Sequence, residues 1–341
     1  MAEKMKTEAP KAKKLADPEA ATIDPASQQM IQRAHELGVE TAFDRAVTLK
    51  PCNIGSQGIC CKNCGMGPCR LPLPKGGIEG EDTRKGICGA TPNTIAARNF
   101  IRMIAGGAAA HSDHGRSVAE VFMAAARKET DAYKIKDTKK LIEVAQVLGV
   151  DTTVAVDGEQ LDRDLDEIAV EVGEKALNEW GKAEGELLFA KRAPEPRYEL
   201  WKKQGVLPRN IDREIVEIMH RTHIGVDQDY KNLMKQGTRA AIADGWGGSM
   251  LATDLQDILF GTPYPLASEA NLGVMKEDMV NIVIHGHEPL LSELILMACQ
   301  DPEMIEYAKT QGATGINLTG ICCTANETLM RQGVRSAGNF L

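Results

Sequence analysis

The chain has 341 residues, 43% of them hydrophobic but only 4% aromatic, and a formal net charge of −8 at pH 7. That length can hold two domains with sizeable cores. The negative balance argues against nucleic acid as a partner, and no apolar run approaches the roughly 20 residues of a membrane span.

Residues 1–23 open with a run rich in Lys, Ala and Pro and read as a mobile tail. Glu3, Glu8 and Asp17 weaken any reading of it as a targeting signal. From Asp24 to Thr48 apolar residues recur at helical spacing, at Ile31, Ala34 and Leu37 and again at Ala42, Phe43 and Ala46. A loop rich in cysteine and glycine follows, over residues 51–91. Thr91 before Pro92 then marks a helix start, with Thr as N-cap and Pro at the first helical position. The stretch from there to His111 is apolar on one face and rich in small residues, which let a backbone or cofactor come close. Val118, Val121, Phe122 and Ala125 predict another amphipathic helix, ending near Lys128.

Residues 129–245 stay helical in pattern, with charge runs that suit solvated faces. The character changes near Gly245. Two β-branched runs, 280–289 and 313–324, flank an amphipathic stretch, which predicts a βαβ unit with parallel strands. The expected organisation is a mainly α domain over 24–244, carrying the cysteine loop, and a partial α/β, Rossmann-like domain over 245–341. Ligands gather at the carboxyl ends of such strands. His285, His287, Cys322 and Cys323 fall there.

Six of the nine cysteines lie close together, at Cys52, Cys60, Cys61, Cys64, Cys69 and Cys88. Cys61, Cys64, Cys69 and Cys88 make a complete four-thiolate set, suited to an iron–sulfur cluster or to zinc. Gly65 and Gly67 would let the backbone approach such a centre and donate N–H bonds to it. Cys52 and Cys60 are left over. Two thiolates are half a site, and a two-fold symmetric dimer would complete it. The alternative is a structural zinc with two spare thiols. A disulfide framework does not suit nine cysteines in a chain without a secretory signal, so a cytoplasmic location is expected.

His111 and His114 are three apart, so on a helix they would share a face and could relay a proton. They could equally be solvent histidines flanking a loop that contains Ser112 and Asp113. Gly286 and Pro289 suggest that the first strand has ended by His287. Adjacent Cys322 and Cys323 would point apart on a strand. Cys299, in an apolar helical run, reads as core, and His35, His220 and His223 are assigned no chemistry.

The runs PCNIGSQGICCKNCGMGPCRLP, GICGATPNTIAARNFIRMIAGGAAAHSDHGR, DILFGTPYPLASEANLGV, VNIVIHGHEPLLSE and GINLTGICCTANETLMRQGVRSAGNF resemble the anaerobic nickel–iron carbon monoxide dehydrogenases. The resemblance runs from about residue 24 to the last. Its details look most like the subunit that partners acetyl-CoA synthase. It implies a homodimer in which Cys61, Cys64, Cys69 and Cys88 hold a [4Fe-4S] cluster. Cys52 and Cys60 would supply half of a second iron–sulfur cluster shared across the dimer axis. His287 and Cys323 match iron ligands of the nickel–iron–sulfur active cluster, and Cys322 a neighbouring cysteine that influences it. His285 is then expected as a hydrogen-bonded structural residue. His111 matches an acid/base histidine, His114 the next member of a proton-conducting chain, and Asp244 an active-site aspartate.

The implied reaction converts CO and water to CO2, two protons and two electrons, which leave for a ferredoxin-like carrier. Chains of the family are nearly twice this long, and their remaining active-cluster thiolates and a catalytic lysine lie in the C-terminal part. The sequence therefore resembles an N-terminal half and is expected to be inactive alone. Two other readings stand beside this one: an electron-transfer module without a nickel site, and a structural zinc protein.

Overall fold

The computed structural model describes residues 14–49, 51–153, 163–265, 274–286, 289–322 and 329–331. Its N-terminal segment is ordered earlier than the tail reading allows. Asp17 caps a short helix α1, Pro18–Ala21, by accepting from the Glu19 N–H. Ahead of it Ala16 is buried, and its N–H donates to Asp44 Oδ1 at 2.8 Å. Asp44 lies in helix α3, Ala42–Thr48, where it forms a reciprocal capping box with Thr41 and also meets His35 Nε2 at 2.8 Å. His35 comes from helix α2, Pro25–Glu36. The bland reading of His35 thus acquires a definite form, a clamp that ties the N-terminal segment down.

Helix α4, Pro92–Ala126, is the spine of the molecule. Thr91 caps it, accepting from the Thr94 N–H. The sequence pattern suggests two helices here, but one continuous helix of 35 residues forms. Its buried positions recur every three or four residues from end to end: Ile95, Arg98, Ile101, Ala105, Ala108, Ser112, Gly115, Val118 and Phe122. That unbroken stripe holds the helix together through Gly106 and Gly107, because tertiary packing outweighs local propensity.

Helices α5 (Thr138–Leu148), α6 (Leu165–Gly181), α7 (Glu195–Gln204), α8 (Ile211–Arg221) and α9 (Tyr230–Ala243) follow. A π-helical turn, Asp244–Ser249, then joins α9 to helix α10, Met250–Phe260. Against α4 pack α6, α8, α9, α10 and the π turn. Phe122, Leu141, Ile168, Trp180 and Ile211 form the main core. Leu251, Leu255, Ile258 and Leu259 of α10 join it. The helical unit therefore continues beyond the expected change at 244/245, as far as Phe260.

Strand β3, Val280–His285, pairs in parallel with strand β4, Ile316–Ile321. Two helices connect them where the pattern reads as one stretch: α11, Pro289–Gln300, and α12, Pro302–Thr310. Pro302 cannot continue α11, and Asp301 caps α12 instead by accepting from the Glu303 N–H. Cys299 is buried on α11, as its apolar setting suggests, and burial pushes its thiol pKa up. Arg331 ties this unit to α10, donating to Asp257 Oδ1 at 2.6 Å and to the Gly261 carbonyl at 2.7 Å. A second small sheet is the antiparallel pair β1, Cys60–Cys61, and β2, Cys69–Arg70.

Candidate cluster cradle and proton site

Pairing of β1 with β2 sets Cys61 opposite Cys69. Cys64 sits in the turn between them, and Cys88 arrives from the loop just ahead of α4. The four sulfur-bearing side chains line one enclosed cavity, together with Asn63 and Arg98. All six loop cysteines are free of disulfides. A Cβ on Gly67 would lie 2.9 Å from the Cys61 carbonyl oxygen, and one on Gly86 would lie 3.2 Å from Cys69 Cβ. These glycines therefore let the loop close on itself. Gly65 has no protein atom within 4 Å of its Cβ position, so it plays no part in this closure.

Two elements outside the loop hold the cradle shut. Asn99 on α4 donates from Nδ2 to the carbonyls of Gly58 and Cys60, at 3.0 and 3.2 Å. The segment after α8 closes the other side. Thr94 Oγ1 donates to the Gln228 carbonyl at 2.8 Å, Gln228 Nε2 to the Cys88 carbonyl at 2.8 Å, and Arg98 Nη2 to the Asp227 carbonyl at 2.7 Å. Sequence reasoning missed this clamp because no local signal marks it. Burial opposes ionisation of Cys88, but N–H groups of Gly225 and Ala90 and the side chains of Arg98 and Gln228 outweigh it and bring the thiol down to about 7.

An iron–sulfur cluster fits these residues. Four thiols lining one cavity suit its irons, and two buried donors without partners, Asn63 Nδ2 and Arg98 Nε, suit its sulfides. Among the described residues, no three His, Cys, Asp or Glu side chains converge on a single metal ion. Cys52 is exposed and Cys60 partly buried. The N–H groups of Gly55 and Ile54 lower the Cys52 pKa.

The second site lies further along α4. His111 Nδ1 meets Asp244 Oδ1 at 2.7 Å. That contact depends on close approach of α4 to the π turn. A Cβ on Gly115 would lie 2.7 Å from the Gly248 carbonyl oxygen and 2.9 Å from Trp180 Cζ2. Trp180 Nε1 donates to the Ser112 carbonyl at 3.0 Å, and Ser112 Oγ donates to Asp212 at 2.6 Å, so this turn of α4 is pinned on two sides. The hydrogen bond to Asp244 raises the His111 pKa above its ordinary 6.5, against the opposing effect of burial.

His114 follows one turn on, and its Nδ1 is buried without a partner. It lines a cavity of about 330 Å³ with His285, Gly286 and Ser292, between α4 and the carboxyl end of β3. His285 is exposed and borders this cavity rather than filling a structural hydrogen-bonded role. Cys322 is buried just past the end of β4, at φ 72°. It is off the strand, so strand alternation does not fix where it points. His287 and Cys323 lie outside the described residues.

The sequence profile of the Prismane/CO dehydrogenase family matches residues 59–341. The chain belongs to this family. It is 52% identical over 322 residues to carbon monoxide dehydrogenase 1 of Methanosarcina acetivorans, covering 94% of this chain and 49% of that one. Against carbon monoxide dehydrogenase 1 of Carboxydothermus hydrogenoformans it is 43% identical, again covering 94% and 49%. The crystal structure of a nickel-free carbon monoxide dehydrogenase from Thermococcus sp. AM4 superposes with a TM-score of 0.81 at 48% identity, over 100% of this chain and 51% of that one. An acetyl-CoA synthase/carbon monoxide dehydrogenase, described with NiZn[Fe4S4] and NiNi[Fe4S4] clusters in its alpha subunits, superposes at 0.80 and 43% identity, over 98% and 48%. The chain thus spans about half the length of the relatives it matches. Among the described residues no helix is long and apolar enough to cross a membrane.

Proposed function

We propose that these residues form part of an anaerobic carbon monoxide dehydrogenase, which converts CO and water to CO2, two protons and two electrons. The observation that carries this reading is the layout of α4. Arg98 and Asn99 face the cysteine cradle, and His111, paired with Asp244, comes thirteen residues after Arg98. At helical rise that is about 20 Å. One rigid element thus holds an electron-carrying site and a proton-handling site at a fixed separation.

In this reading Cys61, Cys64, Cys69 and Cys88 hold a [4Fe-4S] cluster that passes electrons to a ferredoxin-like carrier. His287 and Cys323 are ligands of a nickel–iron–sulfur group, with Cys322 beside them. When bound, that group supplies CO binding, water activation and acceptance of electrons. His111 takes up the proton released, held in one tautomer by Asp244, and His114 passes it on. The parallel β3/β4 pair supports a Rossmann-like layer. The free thiols support a cytoplasmic location. Association with an acetyl-CoA synthase subunit is part of the same proposal.

Anaerobically purified protein is expected to be brown, with about four irons per chain from the complete site and more if a shared site fills. His287 and Cys323 are two ligands of a group that needs more. CO-dependent viologen reduction is therefore expected only where further polypeptide supplies the rest, and not from these 341 residues alone. One zinc per chain with no iron would leave the structural zinc reading. Iron without CO-dependent reduction, even with the full ligand set, would leave the electron-transfer module.

Cys52 and Cys60 are proposed to face their copies across a two-fold axis. Replacing both by Ser should weaken dimerisation or remove one cluster signal, while the four-cysteine cluster keeps its own. Sedimentation and spectroscopy of the variant check this, and an unchanged dimer with an unchanged iron count would refute it.

A further inference from the structure

Arg98 is only 1% exposed, although arginine is almost never fully buried unless it is paired. Among the described residues no carboxylate lies within ion-pairing distance of it. Its Nη2 is held by the Asp227 carbonyl at 2.7 Å, and its Nη1 lies 3.6 Å from Cys88 Sγ. Nε is buried and has no partner. A buried guanidinium without an anion is strongly unfavourable. The side chain lines the same cavity as the four cysteines, so the missing anion belongs in that cavity.

We propose that Arg98 is the counter-cation of the four-cysteine cluster, and that its charge raises the cluster's reduction potential. This rests on the cradle being an iron–sulfur site. A cluster bound by four thiolates is anionic, and it gains one more negative charge when it takes up an electron. A fixed positive charge against it therefore favours the reduced form. The effect is strong because the site is closed to water and the interaction is weakly screened. Arginine suits the task better than lysine. Its planar fork is anchored through Nη2, which leaves Nη1 beside Cys88 Sγ, Nε without a partner and the group always charged. A role confined to holding the Asp227 carbonyl would need neither the charge nor the second and third donors.

The test is a mediated redox titration, followed by electron paramagnetic resonance, of anaerobic cluster-loaded protein. Wild type is compared with Arg98→Lys, Arg98→Gln and Arg98→Met. At the wild-type midpoint, the Gln and Met variants should show at least a tenfold lower ratio of reduced to oxidised cluster. For a one-electron couple that is a fall of about 59 mV. Arg98→Lys should stay within about threefold of wild type. Gln and Met variants within threefold of wild type overturn the proposal, and so does a Lys variant that falls as far as Met. If the neutral variants bind no iron while the Lys variant does, the charge is required for assembly and Arg98 stands as the cluster's counter-cation. If the Lys variant also loses iron, the proposal falls. Wild type without iron removes the cluster reading itself, and this proposal with it.

Discussion

In a preparation that reduces viologen at the expense of CO, His111→Ala is expected to lower turnover by about 10²–10⁴-fold, the usual contribution of a positioned acid or base. The geometry behind this is specific. Nδ1 of His111 meets Asp244 Oδ1 at 2.7 Å, which fixes the ring beside the carboxylate. The same hydrogen bond stabilises the imidazolium and raises the pKa above 6.5. A histidine acting as base must first lose its proton. The rate should therefore climb with pH through a pKa higher than that of an ordinary histidine. Asp244→Asn removes the carboxylate charge and should move this limb to lower pH, with a lower plateau because the base is weaker. A pH–rate profile separates the two roles. His111→Ala abolishes the limb, whereas Asp244→Asn displaces it. An Asp244→Asn profile coincident with wild type would show that the pair does not handle the proton.

The cysteine cradle was legible in sequence because ligand counting needs no tertiary information. Cys61, Cys64, Cys69 and Cys88 are close in the chain, and the four line one cavity. The clamp around them was not legible. Arg98 reads as one more charged residue on a helix, and the Gln228 carbonyl that receives Thr94 is 134 positions away from it. Only the packing of α8 and α9 against α4 brings that segment to the cradle. Gly67 shows the same limit from the other side. The need for glycine there was readable, but what it avoids is the Cys61 carbonyl of the loop's own backbone.

His111 and Asp244 illustrate a different gap. The histidine pair reads as a helical face or a solvent loop with equal ease, because residues 105–115 are nearly all small or polar and give little periodic signal. Burial of Ala105, Ala108, Ser112 and Gly115 decides for the helix, and that burial comes from α6, α9 and the π turn. Asp244 itself occupies the point where α9 changes to a π turn. Such turns are frequent at functional sites, but the sequence there, DGWGGS, reads first as a domain boundary. The parallel strands, by contrast, were readable from β-branched runs alone, since short runs of that composition between turn signals favour strands.

Glycines of α4 provide the last test, because packing and propensity push them in opposite directions. Gly115→Ala places a methyl group 2.7 Å from the Gly248 carbonyl oxygen and 2.9 Å from Trp180 Cζ2. Both contacts are closer than real Cβ atoms tolerate, and the first is with backbone, which cannot rotate away. The π turn must move, so the substitution should cost about 1–3 kcal/mol, as overpacking typically does. Gly106 and Gly107 stand on the exposed side of the same helix with nothing within 4 Å of their Cβ positions. Alanine there relieves the backbone entropy cost of glycine without a clash and should stabilise by about 0.5–1 kcal/mol each. Chemical denaturation of the three single variants reads this sign reversal directly. Because the π turn carries Asp244, Gly115→Ala should also displace the pH limb of turnover as Asp244→Asn does, while Gly106→Ala leaves it in place. Equal stability changes at Gly115 and Gly106 would mean that α4 and the π turn are not in the contact that brings Asp244 to His111.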